Sequence, residues 1–263
     1  MFTLLPLLFC VIPPDIYVEV HTPEGVGSGI IIVREVDGQL INLVWTARHV
    51  IESALISNDI VVEHRFWSKG ILIILRSSAE IVKSWNTVDL ALLLIRGPPL
   101  ITQITDEVFY FGKVDKKDTL VHFGLYGGAL NYISIGHKET FFPQIFGYFE
   151  SNEGLLLKIE PGCSGGGVFR NDRCIGLVLA RNILIHEQSY MLPALQIYHT
   201  AYNSGLLWAL FPRLSAPTMN QIRHIQNRDY TFYYLFSVAL ILGLWLYGRR
   251  SVKVTRLNFN STS

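Results

Sequence analysis

Residues 161–169 read PGCSGGGVF, and they place a cysteine and a serine side by side in front of three consecutive glycines. Glycine adopts backbone dihedrals that other residues rarely reach, so a glycine-rich turn can aim neighbouring N–H groups at one point. Two such donors form an oxyanion hole, which stabilises the charge that develops during acyl transfer. The stretch therefore predicts a nucleophile held on a tight turn, and a glycine-rich hairpin without chemistry is the alternative.

The spacing of the glycines distinguishes the two candidate nucleophiles. With Ser164 as the nucleophile, the oxyanion donors are the N–H groups of Gly162 and Ser164, and the frame is Gly-x-Ser-Gly-Gly. With Cys163 as the nucleophile, Pro161 stands where a glycine is needed, and no glycine follows the nucleophile directly. We therefore predict that Ser164 is the nucleophile and that Cys163 is a small neighbour, which argues against a cysteine peptidase.

A serine hydroxyl needs a base, and the base needs a partner that orients it. His49 lies in VWTARHVIESA, after an apolar strand and before a predicted helical turn, and Asp89 begins the apolar strand in TVDLALLLI. The order is His49, Asp89, Ser164, with gaps of 40 and 75 residues. This is one of the chain orders in which Ser-His-Asp triads occur on unrelated folds. Each residue alone is more often structural, but the three contexts together predict a triad.

Composition limits the other classes of function. The chain has 263 residues, half of them hydrophobic, with 22 basic and 21 acidic side chains. It therefore carries no global basic field of the kind that binds nucleic acid, and we expect no nucleic-acid partner. Three cysteines are too few for a disulfide framework. We expect no cofactor and no metal. We expect a polypeptide substrate, and the sequence does not indicate an oligomeric state.

Short apolar runs separated by turn signals dominate residues 16–180. Many short strands without long intervening helices predict an all-β sandwich or barrel fold. We expect one helical turn in RHVIESAL, and a helix over residues 192–210. The predicted strands are DIYVEV, GIIIVREV, LINLVW, DIVVEHRF, GILIIL, DLALLLI, TLVHFGL, GLLLKI, GGVFR and CIGLVLA.

These motifs together resemble those of the chymotrypsin-fold (trypsin-like) serine peptidases, closest to the HtrA/Deg branch. The resemblance covers residues 17–202, about two thirds of the chain. Six motifs carry it, and they occur in the same order as in the family. They are GVGSGIII, TARHVIESA, DLALL, DTLVHFGLYGG, PGCSGGGVF and CIGLVLA.

The resemblance implies two six-stranded Greek-key β-barrels with the active site in the cleft between them. It implies that Ser164 attacks the scissile carbonyl, that His49 is the general base and acid, and that Asp89 orients His49. It also implies a primary specificity pocket lined by Leu179, Ala180 and Arg181. Arg181 is expected either to favour an acidic or polar substrate side chain or to point to solvent.

The chain also departs from the family pattern. Arg48 precedes the histidine where the family has a small residue, and Gly167 replaces the usual proline. The chain after residue 202 leaves no room for a PDZ domain, so the oligomerisation and regulation of typical HtrA enzymes are not carried over.

The two ends of the chain are strongly apolar, and the C-terminal one predicts a membrane protein. Residues 1–15 form an apolar arm or a weak signal segment, residues 16–210 the protease domain, and residues 211–229 a linker. Residues 230–247 carry no charge, and their 18 residues span roughly 27 Å as a helix, close to the ~30 Å hydrocarbon core. We therefore expect a transmembrane helix over residues 230–248, followed by a basic tail over residues 249–263.

The basic tail indicates a single-pass protein whose protease domain lies outside the cytoplasm. A tail-anchored protein with a cytosolic protease domain is the alternative.

Three functions remain open from the sequence. The first is a membrane-anchored serine endopeptidase, and the second is a catalytically silent protease-fold scaffold at a membrane. The third is a membrane-interaction protein whose β-domain is only structural, which leaves PGCSGG unexplained.

Overall fold

The computed structural model describes residues 16–103, 105, 107–126, 129–139, 153–181, 185, 187–225 and 242. The chain divides into two compact units, Met1–Met219 and Asn220–Ser263. The first unit contains all of the strands named below. The predicted N-terminal arm and, apart from Leu242, the predicted membrane segment lie outside the described residues. Among the residues that are described, none belongs to a helix long and apolar enough to cross a membrane.

The first half of the chain forms a closed antiparallel barrel of six strands in the order β1-β2-β3-β6-β5-β4. Its turns follow from the sequence, because Asp37 and Gly38 both take positive φ (51° and 73°) between β2 and β3. This is the backbone pattern of a type I′ hairpin turn, which Asp-Gly favours. The strands are β1 Tyr17–Thr22, β2 Gly25–Val36, β3 Gln39–Ala47, β4 Val61–Ser68, β5 Ile71–Trp85 and β6 Leu90–Ile95.

The second half forms another closed antiparallel barrel of six strands, in the order β10-β11-β12-β9-β8-β7. Its buried core includes Leu120, Leu155, Val168 and Val178, and Cys163 packs within the same cluster. The strands are β7 Leu120–Tyr126, β8 Ala129–Glu139, β9 Glu153–Leu156, β10 Gly167–Arg170, β11 Arg173–Arg181 and β12 Gln188–Pro193. The all-β prediction of two six-stranded barrels is confirmed.

Helical structure is sparse in the described part of the first unit. The predicted helical turn is present as a 3₁₀ turn, Arg48–Ile51, followed by the short helix α1, Ala54–Ser57. The helix expected over residues 192–210 is wrong at both ends, because β12 continues to Pro193 and helix α2 spans only Ala194–Asn203. Gly205, at a φ of 69°, ends α2, and Leu206 N–H then donates to the Ala201 carbonyl.

Candidate active site

His49 and Asp89 meet because β3 and β6 are antiparallel neighbours. Ala47, the last residue of β3, pairs with Leu90, the first residue of β6, so the residues just beyond these ends lie side by side. Asp89 Oδ2 is 2.8 Å from His49 Nδ1, and Asp89 Oδ1 accepts a hydrogen bond from the His49 backbone N–H at 2.9 Å. A carboxylate can only accept, so Nδ1 carries the proton of a neutral His49 and Nε2 is left as the acceptor.

The backbone at Asp89 also contributes to this contact. Asp89 has a φ of 50°, in the left-handed region that aspartate tolerates better than most residues. Its carbonyl accepts a hydrogen bond from the Arg48 N–H at 3.2 Å. The backbone next to His49 is therefore bonded directly to the backbone of Asp89. The Asp89 side chain is 17% exposed and that of His49 is 41% exposed, so the carboxylate lies behind the imidazole.

Ser164 lies on a tight turn between β9 and β10. Gly162 and Gly165 take positive φ values of 92° and 84° in this turn, as the glycine frame predicts. The Cys163 carbonyl accepts a hydrogen bond from Gly166 N–H at 2.9 Å. Because a trans peptide is planar, the N–H of Ser164 points away from that carbonyl, to the opposite side of the turn.

Strand β2 of the first barrel supports this turn directly. Ser28 N–H donates to the Ser164 carbonyl at 2.7 Å, and Ser28 Oγ donates to the Gly162 carbonyl at 2.7 Å. Thr46 Oγ1 in turn donates to the Ser28 carbonyl at 2.7 Å. Ser28 is 1% exposed, so these bonds are shielded from water. The sequence contained this signal in GVGSG, but the positioning role of Ser28 and Thr46 was not predicted.

Gly27 shows that the His49 segment and the Ser164 turn approach the same point. A Cβ built on Gly27 would lie 2.4 Å from Val50 Cγ1 and 3.1 Å from the Ser164 carbonyl oxygen. Val50 directly follows His49 in the chain. The residue after His49 and the carbonyl of the Ser164 turn therefore both pack against the backbone of Gly27 on β2.

The Ser164 hydroxyl is held in the turn by β11. Ser164 Oγ donates to the Leu179 carbonyl at 2.9 Å. The pairing of β11 with β12 shifts by one residue between Val178 and Ala180, and this irregularity releases the Leu179 carbonyl towards the turn. A hydroxyl has one proton, so in this rotamer Ser164 does not donate to His49.

Cys163 points away from the site and into the core of the second barrel. It is 0% exposed, and burial raises the pKa of its thiol to about 11. A thiol with this pKa is almost entirely protonated at neutral pH and is a poor nucleophile. Cys163 is therefore a core side chain in this structure, and Ser164 as the nucleophile stays the prediction of the glycine spacing.

The three predicted pocket residues lie at the end of β11, next to Ser164. Leu179 is buried and Ala180 is half-buried. Arg181 Nη1 lies 3.5 Å from Glu160 Oε2, so the arginine is paired with a carboxylate as well as partly exposed to solvent. Glu160, which the sequence did not single out, precedes Ser164 by four residues.

The two departures from the family pattern have different consequences. Arg48 forms an i,i+4 ion pair with Glu52 at 3.1 Å, and this pair lies at the edge of the 3₁₀ turn that carries His49. At Gly167, a Cβ would lie 2.4 Å from the Phe169 ring and 2.8 Å from Ile30 Cδ1. A side chain at position 167 would therefore force Phe169 or Ile30 to move.

One group of possible metal ligands occurs in the described ranges, and it lies on the first barrel. Ligand atoms of Glu19, His21 and Glu63 lie within 4.8 Å of one another. Arg65 Nη2 binds Glu19 Oε2 at 3.0 Å, and both Arg65 and Arg76 bind Glu63. Although burial opposes it, these arginines lower the pKa of Glu63. The carboxylates are therefore neutralised by guanidinium groups, as in an ion-pair network.

Solved structures with a similar arrangement of strands are proteases. The chain is similar to the inactive form of Rv3671c from M. tuberculosis H37Rv, with 20% identity and a TM-score of 0.53 over 78% of this chain and 90% of that one. It is similar to Deg5, with 17% identity and a TM-score of 0.54 over 72% of this chain and 88% of that one.

A serine endoprotease from Yersinia pestis matches with 17% identity and a TM-score of 0.55, over 75% of this chain and 65% of that one. The chain has the fold of HtrA/Deg-type trypsin-like serine proteases. No protein-family model matches its sequence, and no curated protein does. The resemblance stated from the sequence motifs is thus confirmed at the level of the fold.

Proposed function

We propose that the protein is a serine endopeptidase that hydrolyses peptide bonds through a His49-Asp89-Ser164 triad. The observation that carries this proposal is the double contact of Asp89 with His49, at 2.8 Å to the ring and 2.9 Å to the backbone. A structural aspartate needs neither contact, whereas a general base needs its ring held in one orientation and one tautomer. The protease fold of the solved relatives supports the same conclusion.

In the first half of the reaction, Ser164 Oγ attacks the carbonyl carbon of the scissile bond. As the C–O bond forms, the Ser164 proton moves to His49 Nε2, and the carbonyl π electrons move to oxygen. The N–H groups of Gly162 and Ser164 stabilise this oxyanion. When the oxyanion collapses, the C–N bond breaks, and His49 donates its proton to the leaving amine.

In the second half, water hydrolyses the ester that joins Ser164 to the acyl part of the substrate. His49 removes a proton from water as its oxygen attacks, and then returns a proton to Ser164 Oγ as the ester bond breaks. Asp89 remains ionised and stabilises the imidazolium form of His49 in both halves. The net change is one peptide bond and one water converted to a carboxylic acid and an amine.

The test is hydrolysis of a mixed peptide library by the full chain, read by mass spectrometry. We expect Ser164→Ala, His49→Ala and Asp89→Asn each to lose at least about 10⁴-fold in kcat/KM. Asp37→Asn is the matched control, because Asp37 is an exposed carboxylate that accepts a hydrogen bond from the backbone N–H of Met219 at 2.9 Å. Hydrolysis that survives Ser164→Ala would show that another group is the nucleophile.

A catalytically silent protease-fold scaffold is the second candidate, and the rotamer of Ser164 favours it. The Ser164 proton is donated to Leu179, so the hydroxyl must rotate about χ1 before His49 can accept its proton. An enzyme rotates this side chain when substrate binds, whereas a scaffold never does. The scaffold is the correct description if the folded full chain cleaves no peptide of the library.

We also propose the domain organisation that the sequence predicts. In this proposal residues 16–210 are the protease domain, residues 211–229 a linker, residues 230–248 a membrane-spanning helix and residues 249–263 a basic tail. The support is the uncharged stretch 230–247, which has aromatic residues near both ends and four basic residues after it. The excess of positive charge in the tail favours a cytoplasmic tail and a protease domain on the other side of the membrane.

Membrane anchoring is tested by alkaline carbonate extraction of the full chain and of a chain that ends at Arg228. We expect the full chain to stay with the membrane and the shortened chain to be released. If both are released equally, residues 230–247 are not an anchor. For a chain that stays bound, protease protection in sealed vesicles distinguishes the proposed orientation from a tail-anchored protein with a cytosolic protease domain.

A further inference from the structure

Strands β4 and β5 continue beyond the first barrel as a two-stranded ribbon. Strand β1 pairs with β4 only at residues 61–64, and β6 pairs with β5 only from Ala79 onward. Among the strands that the structure describes, residues 65–68 and 71–74 therefore pair only with each other. We call residues 65–74 the ribbon tip.

The ribbon tip is apolar on both of its faces. Ile71 and Ile73 lie on one face and Leu72 and Ile74 on the other, because side chains alternate along a strand. Ile71 is 67% and Ile74 is 45% exposed, and the two residues between them are half-buried. The sequence adds an aromatic pair, Phe-Trp, at residues 66–67. An exposed apolar run of this length marks an interaction site. A protein that packs on a sheet covers one face, whereas lipid covers both.

The charges of this region favour an anionic surface. Residues 64–79 contain three basic side chains and no acidic one. Two of the three, Arg65 and Arg76, bind Glu63. The third, Lys69, is exposed at the turn of the ribbon tip. A lysine there brings its ammonium group to lipid phosphates while its methylene stem covers apolar surface.

The chain leaves the first unit at the end of the barrel that carries the ribbon tip. Strand β4 is antiparallel to β1, and β1 is antiparallel to β2, so β4 and β2 run in the same direction. The turn after β2 therefore lies at the same end as the ribbon tip, and Asp37 in that turn accepts the hydrogen bond from Met219 N–H. Met219 ends the first unit, and only residues 220–229 separate it from the uncharged stretch 230–247. Ten residues reach at most about 35 Å, so a span over that stretch holds Met219 within this distance of the bilayer.

We propose that the ribbon tip inserts into the interface of the lipid bilayer that holds residues 230–247. This inference rests on the proposed membrane span and adds a second contact with the same membrane. The insertion is shallow, because in the described part of the chain no third strand pairs with the edges of the ribbon tip. Backbone N–H and C=O groups on such edges must stay near water or headgroups. The Lys69 ammonium lies among the phosphates, and the isoleucines reach the outermost acyl carbons.

An inserted ribbon tip orients the proposed active site. His49 follows the end of β3 and Asp89 precedes β6, and both lie at the end of the first barrel opposite to the ribbon tip. Strand β3 has nine residues and is therefore about 30 Å long. We expect this end of the barrel to face away from the bilayer and to meet polypeptide segments at roughly this distance from the lipid.

The test measures the lipid contact of a fluorophore on the ribbon tip. Ser68→Cys is combined with Cys10→Ser in the full chain and labelled with nitrobenzoxadiazole, since Cys163 and Cys174 are buried. The labelled chain is reconstituted into vesicles of phosphatidylcholine and phosphatidylglycerol, with doxyl-labelled phosphatidylcholine as the quencher. We expect the emission to shift to shorter wavelength and to be quenched by the doxyl lipid.

Two matched controls accompany this label. Glu24→Cys carries the same fluorophore in the exposed turn between β1 and β2, at the opposite end of the barrel, and is expected to be quenched at most about one third as strongly. Ile71→Asn is expected to lower the quenching at position 68 by at least about half, because it removes apolar surface from the inserted part. Ile56→Asn, at a 98% exposed residue of α1, is expected to leave that quenching unchanged.

Two outcomes would overturn the inference. Equal quenching at positions 68 and 24 means that the ribbon tip has no preferred contact with lipid. A shift to shorter wavelength without quenching assigns the ribbon tip to a protein contact, such as a second copy of this chain. Alkaline carbonate extraction of the same vesicles tests the span separately. A chain that stays bound with an unquenched label keeps the span and loses this inference, whereas a released chain whose label was quenched loses the span and keeps the lipid contact.

Discussion

Cys163 and Ser164 are adjacent in the chain, yet the fold gives them opposite environments. The turn directs Cys163 into the core of the second barrel and leaves Ser164 half-buried against the end of β11. The Ser164 carbonyl lies close to Gly27 on β2. Gly27 also packs against Val50, the residue that follows His49. A core side chain and the proposed nucleophile are therefore neighbours in the chain.

His122 is a second residue whose role follows from burial, and it makes stability depend on pH. It is fully buried on β7, and its Nδ1 lies 2.9 Å from the Gly167 carbonyl, just after the Ser164 turn. Burial lowers the pKa of His122 to about 4, against an ordinary value of 6.5, although the hydrogen bond to Gly167 opposes this. The neutral ring donates through Nδ1 to Gly167.

The sign of the pH effect follows from this lowered pKa. Between about pH 6.5 and pH 4 the unfolded chain binds a proton at His122 and the folded chain does not, so stability falls as the pH falls. The difference between the two pKa values corresponds to a total loss of about 3 kcal/mol. His122→Asn retains a donor near the Nδ1 position but cannot be protonated. We expect urea unfolding of this variant to lose less stability over this range, and an unchanged slope would contradict this role of His122.

At the scale of elements, the Ser164 turn depends on its contact with β2 and β3. A Cβ on Gly165 would lie 2.2 Å from the Ser28 carbonyl oxygen and 2.3 Å from Thr46 Oγ1, and the φ of Gly165 is 84°. Gly165→Ala therefore combines backbone strain with a collision against the strand that holds the turn. We expect a loss of about 3 kcal/mol or more in unfolding free energy, and loss of peptide hydrolysis.

Gly38→Ala is the matched control for this substitution. Gly38 also has a positive φ, 73°, but a Cβ there would meet nothing within 4 Å. Only the backbone cost of about 1–2 kcal/mol remains, and activity is retained. Equal destabilisation of the two variants in urea would show that the contact between the turn and β2 contributes nothing.

Much of the element order can be predicted from the sequence, because apolar runs and Asp-Gly or Lys-Gly turns mark most of the strands. Strands β8 and β12 were missed. Strand β8 ends in the polar residues HKE, and β12 begins with Gln188 and ends at Pro193, so neither reads as an apolar run. Strand β5 extends to Trp85, well beyond the predicted GILIIL, because β4 pairs with its first half, residues 71–78, and β6 pairs with its second half, residues 79–85.

The candidate site residues His49, Asp89 and Ser164 were chosen where chemistry and spacing coincide, and their joint role stays a prediction. The supporting residues Ser28, Thr46 and Glu160 were not assigned roles, because they act through contacts between segments far apart in the chain. Ser28, for example, bonds to Gly162 across 134 positions. Such partners follow from the packing of the two barrels, so a local motif such as GVGSG does not by itself show which distant residues it contacts.

At the scale of the molecule, Arg34 joins distant parts of the first unit. This β2 side chain is 3% exposed and donates to the carbonyls of Trp208, Leu210 and Thr105. Burial lowers the pKa of Arg34 to about 10, so it remains charged at neutral pH. Thr105 lies in the connection between the barrels, and Trp208 and Leu210 lie in the segment after α2. Arg34 therefore holds both segments against the first barrel.

Arg34→Met tests this connection, since it keeps much of the side-chain volume and removes every donor. The carbonyl groups are left without that partner in a buried place, so we expect a loss of about 2–4 kcal/mol in urea unfolding. Arg173→Met, at a partly exposed arginine, is the control and is expected to change stability by less than about 0.5 kcal/mol. Similar values for the two variants would mean that the buried hydrogen bonds of Arg34 add no net stability.

The central claim is that Ser164 is a nucleophile activated by His49, and the most direct measurement is the site and rate of fluorophosphonate labelling. The intact full chain is labelled, digested and mapped by mass spectrometry, beside Cys163→Ala, Ser164→Ala and His49→Ala. We predict one label on Ser164 in wild type and in Cys163→Ala, none in Ser164→Ala, and a rate lowered by at least about 10³-fold in His49→Ala. A label on Cys163, or an unchanged rate in His49→Ala, would contradict the account.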